Sequence, residues 1–135
     1  MPKIAIFDRD VRWRRRQLVR SRALLSPRLF CQQRGISNAR LLQLERRGEV
    51  FSVIVGRKPY FPAVLADGSL DQHRLEKLLK RLSPDIPPIA KYLFLVGRRG
   101  SLGDKTVLHA MRSGKRYRMA LRLADNIASD HGQRS

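Results

Sequence analysis

The chain has one cysteine, Cys31, so no internal disulfide can staple it. It has no long apolar run: the longest, Tyr92 to Val96, is five residues, against the ~20 that cross a bilayer. The first residues lack the apolar core of a secretory leader, because Asp8, Asp10 and a series of arginines interrupt it. A cytoplasmic protein is therefore expected. Anchoring at a membrane surface needs bulky apolar groups along a basic helix, and only the region around Trp13 is a weak match, so no membrane partner is expected. Internal repeats and low-complexity stretches are absent. Negative charge is scarce: 11 Asp plus Glu stand against 29 Lys plus Arg, a formal charge of +18.

What is present fits a folded, polyanion-binding chain. In 135 residues a hydrophobic content of 42% suffices for the core of one domain, or of two very small ones. Self-repulsion at this charge density is relieved by a partner carrying many phosphates, which makes nucleic acid the first candidate. Of the basic residues 22 are arginine, whose planar fork pairs bidentately with phosphate and guanine. The excess is uneven: +7 over residues 1–30, +4 over 31–66, +1 over 67–92 and +6 over 93–135. Two basic surfaces joined by a nearly neutral packing element is the expected layout.

Local signals divide the chain further. Residues 1–25, with Trp13 and the run Arg14, Arg15, Arg16, form either a basic helix or an arm that orders only on a polyanion. Ser26 and Pro27 read as a cap and first-turn proline opening a short helix through Gln33. Gly35 permits a left-handed step, and Ser37 caps a second helix through Arg47, with Leu41, Leu44 and Ala39 turned inward. Gly48 ends it. Strand-like Val50, Phe51, Val53 and Val55, a turn at Gly56, Arg57 and Lys58, and a return through Tyr60 and Phe61 complete a hairpin. An amphipathic helix is expected over 69–82, with Leu75, Leu78, Leu79 and Leu82 as its stripe, followed by a break at Ser83 and Pro84. A short buried helix over 89–96, a glycine-punctuated loop over 97–103, and helices over 104–112 and 115–129 follow, with a frayed tail beyond Asp130. The fold class is mainly α: a winged helix-turn-helix with a small β-hairpin over 26–66 and a C-terminal helical domain over 67–135.

The unit from Leu29 to Phe61 carries the functional reading. A helix that enters the major groove needs short polar side chains at its start, and a basic hairpin tip to touch the flanking backbone. Ser37, Asn38, Arg40, Gln43, Arg46 and Arg47 supply the first, Arg57 and Lys58 the second, and Arg12, Arg14, Arg15 and Arg16 add phosphate contacts from the arm. An ordinary αα-hairpin with a solvated basic face is the plain alternative.

The stretch Gly35, Ile36, Ser37, Asn38, Ala39, Arg40, Leu41, with Arg46 to Val50, Ser52, Val53, Val55 and Gly56, resembles the short winged helix-turn-helix of excisionase and MerR-type proteins. That resemblance implies Asn38, Arg40 and Gln43 as groove-facing residues. A second one covers Phe94 to Ala124: Phe94, Leu95, Leu102 to Thr106, Ala110 to Gly114, Leu121, Leu123 and Ala124 are similar to the C-terminal domain of Xre, MbcA and ParS-type antitoxins. It implies neutralisation of a RES-class toxin and support of oligomers, with Arg98, Arg99, Lys105 and Arg112 as partner-binding candidates.

Other chemistries fit less well. Gly97, Arg98, Arg99, Gly100 has the form of the loop with which KH domains clamp an RNA backbone, but no strands are expected around it. Gly103, Asp104, Lys105, Thr106 places an acid where a P-loop requires glycine. His73 and Glu76 lie a turn apart without further ligands, and His109 and Cys31 have no partner in sequence. No enzyme activity, cofactor or metal is expected. The expectation is a DNA-binding transcriptional regulator acting as a homodimer or higher oligomer, with a toxin-neutralising module and an RNA binder as the alternatives.

Overall fold

The computed structural model describes residues 12–82 and 85–133, with side chains as far as Ser129. The first eleven residues of the arm, the break at Ser83 and Pro84, and the tail's side chains beyond Ser129 lie outside the described residues. The architecture is mainly α with a small antiparallel sheet and a second two-stranded pair. Two compact units divide it. The first holds residues up to Gln43 together with Phe51–Asp67, and the second Leu44–Val50 with Gly68–Ser135.

In the first unit the arm is helical over residues 12–20 (α1). Arg22 ends it in the left-handed region, at φ 64°. Leu24–Leu25 (β1) then pairs with Pro62 and Phe61, a third strand that the expected two-stranded hairpin lacked. Both leucines are almost fully buried, so the pairing is selected by burial against a distant segment, which no local pattern reveals. Helix α2 (Pro27–Arg34) opens as its sequence dictates: Ser26 Oγ accepts the Leu29 N–H at 3.3 Å, and Pro27 occupies the first turn. Gly35, at φ 75°, closes it, with its own N–H and that of Ile36 both donating to the Cys31 carbonyl. Helix α3 (Asn38–Arg46), whose residues from Leu44 on belong to the second unit, ends in a Schellman motif, Gly48 N–H bonding Glu45 O and Glu49 N–H bonding Leu44 O.

Strands β2 (Val53–Val55) and β3 (Lys58–Pro62) follow, closing on Val55 opposite Lys58. Lys58 is therefore a strand residue, and Gly56 with Arg57 alone make the turn. Pro59 is tolerated in the central strand because it stands opposite Ile54, the pair next to the closing one, where antiparallel alternation requires no ladder bond. Phe30 and Phe61, with ring centroids 5.3 Å apart, anchor a core that includes Leu24, Leu41, Val53 and Leu65.

In the second unit Asp71 accepts the Arg74 N–H at 3.1 Å and so starts α4 (Gln72–Arg81) later than residue 69. Leu75, Leu78 and Leu79 are buried along it, and Leu82 just beyond it. Helix α5 (Pro88–Val96) buries Tyr92, Phe94 and Leu95. The expected loop over 97–103 is instead half of a hairpin. Arg98–Arg99 (β4) pairs with Lys105–Thr106 (β5) around a 3₁₀ turn at Gly100–Leu102. The helix expected over 104–112 shrinks to Val107–Ala110 (α6), since Asp104 sits at φ 60° and the Thr106 hydroxyl caps the His109 N–H at 3.1 Å. Helix α7 (Gly114–Gln133) opens at Gly114, one residue before the expected start, because Tyr117 N–H already bonds Ser113 O. The backbone is helical to Gln133, past the point where fraying was expected.

Candidate nucleic-acid interface

The start of α3 is built from a short chain of local effects. Gly35 reverses the chain after α2, Cys31 Sγ donates to the Ser37 carbonyl at 3.7 Å, and Ser37 Oγ accepts the Arg40 N–H at 3.1 Å. Cys31 thus ties the turn. Replacing Ser37 with alanine leaves that N–H without its cap and is expected to cost about 1 kcal/mol, read from urea melts, with Ser37→Asp as the rescuing variant.

Helical geometry then decides what α3 offers. Among residues 38–46 only Leu41 and Leu44 are buried, and Glu45 is half-buried. Asn38, Arg40, Gln43 and Arg46 are exposed, as are Ser37 before them and Arg47 after. Ala39, expected inward, is exposed as well: it lies some 200° around the helix from Leu41, on the opposite side. One turn on, Leu42 is 48% exposed. Sequence reasoning missed this apolar pair, although the helical offset from Leu41 gives it. Arg40 Nη1 donates to Gln43 Oε1 at 3.2 Å, so two groove candidates are held side by side.

The hairpin tip is a two-residue turn with both residues left-handed, Gly56 at φ 57° and Arg57 at φ 69°. That is the type I′ geometry matching the sheet twist, and its second position favours glycine or asparagine. An arginine there is retained at a conformational cost of ~1 kcal/mol. Arg57 and Lys58 are both exposed.

The arm belongs with this tip. Arg12, Arg15 and Arg16 of α1 line one cleft of about 400 Å³ together with Ile54, Val55, Gly56 and Arg57. Arg14 and Trp13 are exposed on the same helix. No sequence signal pairs the arm with the tip, since some forty residues separate them.

The partner-binding candidates of the second unit divide. Arg98, Arg99 and Lys105 share the β4–β5 hairpin, Arg99 directly opposite Lys105. Arg99 is not free for a ligand across its whole face, because its guanidinium stacks 5.0 Å from the centre of the Phe94 ring. Arg112 lines a different hollow, with Asp71, Arg74 and Met111. Gly97 serves the end of α5: a Cβ there would lie 2.8 Å from the Leu93 carbonyl oxygen. Gly97→Ala is therefore expected to lower stability by about 1–2 kcal/mol in a thermal melt while leaving RNA affinity unchanged, which a phosphate-clamping glycine would not do.

Titratable groups in this unit report packing. Burial lowers the Lys91 ammonium below its ordinary range and raises the Tyr92 phenol. Burial also raises the Tyr117 phenol, whose hydroxyl donates to the Arg74 carbonyl at 3.2 Å. Glu76 is lowered by its hydrogen bond from Lys80, 2.7 Å away. Among the described residues no group of three His, Cys, Asp or Glu side chains is placed to hold a metal ion, and no helix is long and apolar enough to cross a membrane.

No family model, curated protein or solved structure matches this chain. The functional reading accordingly rests on the exposed helix, the tip and the distribution of charge.

Proposed function

We propose that the chain binds double-stranded DNA as a transcriptional regulator, with α3 as the reading helix. The observation that carries this is the exposure of α3: polar groups suited to base edges occupy most of its circumference, while only Leu41 and Leu44 are buried. Asn38 and Gln43 suit adenine, Arg40 suits guanine, and Ala39 with Leu42 offer apolar contact to thymine methyl groups. Arg57, Lys58 and the α1 arginines supply the sequence-independent phosphate contacts that set register and affinity. Reading of paired half-sites by a homodimer is part of the proposal. Selection from a random duplex library at ~150 mM salt tests it, since at low salt a chain of this charge binds any polyanion. An enriched motif, bound in preference to random duplex and to structured RNA, supports the reading. Equal binding of all three refutes it.

A second reading, a toxin-neutralising role for the second unit, is favoured by the hairpin that gathers Arg98, Arg99 and Lys105 on adjacent strands. Coexpression with a RES-type toxin tests it: co-purification and restored growth support an antitoxin, and their absence removes it.

A further inference from the structure

The cleft beside the hairpin tip has a more specific composition than a basic surface. Arg12, Arg15 and Arg16 stand at i, i+3 and i+4 on α1, so their side chains share one face. Across from them is Arg57, in a backbone conformation that arginine rarely adopts. The remaining lining is Ile54, Val55 and Gly56. Among the described residues no carboxylate lines the cleft. Arg15 Nε is buried with no hydrogen-bond partner, a donor left unsatisfied at a cost that proteins ordinarily avoid. Like charges at helical i, i+4 spacing repel. Four arginines lining one cleft, with no carboxylate among its described lining residues, concentrate positive charge that a multiply accepting anion would balance. Phosphate has the acceptor number and the geometry for forked donors.

We infer that this cleft is a phosphate seat, in which Arg12, Arg15, Arg16 and Arg57 converge on a single phosphate group, and that the group belongs to a nucleic-acid backbone. Its source rests on the DNA-binding reading; the seat itself does not. The arm is on this account a folded half of a clamp whose other half is the hairpin tip. Clamping one phosphate from two elements fixes the height of the tip on the backbone, which independent contacts would leave loose.

The test is a double-mutant cycle on Arg15→Gln and Arg57→Asn, chosen because asparagine tolerates the left-handed position and glutamine keeps the length of the arm side chain. Affinity for a short random-sequence duplex is measured against salt, with thermal melts verifying that each variant folds. The exposed pair Arg12→Gln and Arg16→Gln serves as a second set if Arg15→Gln melts early. Each single variant is expected to lose about tenfold in affinity. The double variant should lose much less than the product, and the slope of log K on log salt should fall by about 0.9 in total, the value of one phosphate. Multiplicative losses, with a slope decrement for each arginine, would mean separate phosphates and would overturn the seat. In parallel, pyrophosphate is titrated into the free protein while the emission of Trp13, the only tryptophan, and the melting temperature are followed. If the wild type ignores duplex DNA but pyrophosphate stabilises it and the double variant loses that stabilisation, the seat stands, its ligand is a free oligophosphate and the DNA reading falls. No response to either probe overturns the seat.

Discussion

Phe30→Ala should unfold the first unit. Phe30 is fully buried, and its ring meets that of Phe61 at 5.3 Å, so truncation removes the largest side chain from the contact between α2 and the sheet. Such truncations cost about 3–5 kcal/mol when the cavity cannot collapse. Here one wall is Phe61, held in the central strand by pairing on both sides, so collapse is restricted. The loss is comparable to the whole stability of a small domain. Circular dichroism melts should show the transition falling to or below ambient temperature for part of the signal, and the duplex-binding activity should vanish with it. A loss under ~1 kcal/mol would mean that the Phe30–Phe61 contact does not hold this unit together.

Arg40→Ala and Gln43→Ala should each remove about 1–3 kcal/mol of discrimination between the selected site and random duplex, with little change in random-duplex affinity. Their side chains are hydrogen-bonded at 3.2 Å, so the double variant should lose less than the sum of the two singles. Arg14→Ala with Arg16→Ala should behave oppositely, weakening every duplex and flattening the salt dependence by about 0.9 per phosphate contact removed. Competition binding at two salt concentrations separates these outcomes. If both sets lowered specific and random binding equally, α3 would not be the reading helix.

Several helix ends set by residues within a turn or so of one another were legible in the sequence, although the equally local caps at Asp71 and Thr106 were not. Ser26 with Pro27, Gly35, Ser37 and Gly48 mark helix ends through capping bonds that reach no further than five residues. The leucines of α4 announce their buried face through a periodicity internal to the helix. Apolar character alone misplaces Ala39, because the helical angle from Leu41 puts it outside.

Composition and local pattern alone therefore determined a basic chain, mainly helical, with a capped helix after a glycine turn and a hairpin behind it. Tertiary structure alone decided that Leu24 and Leu25 become a strand, that Arg98 and Arg99 leave their loop to pair with Lys105 and Thr106, and that the α1 arginines come to rest beside Arg57. The first and last of those outcomes depend on contact between segments some forty residues apart, the second on a hairpin closing over 100–104, and in each the free energy is settled only when the two segments meet.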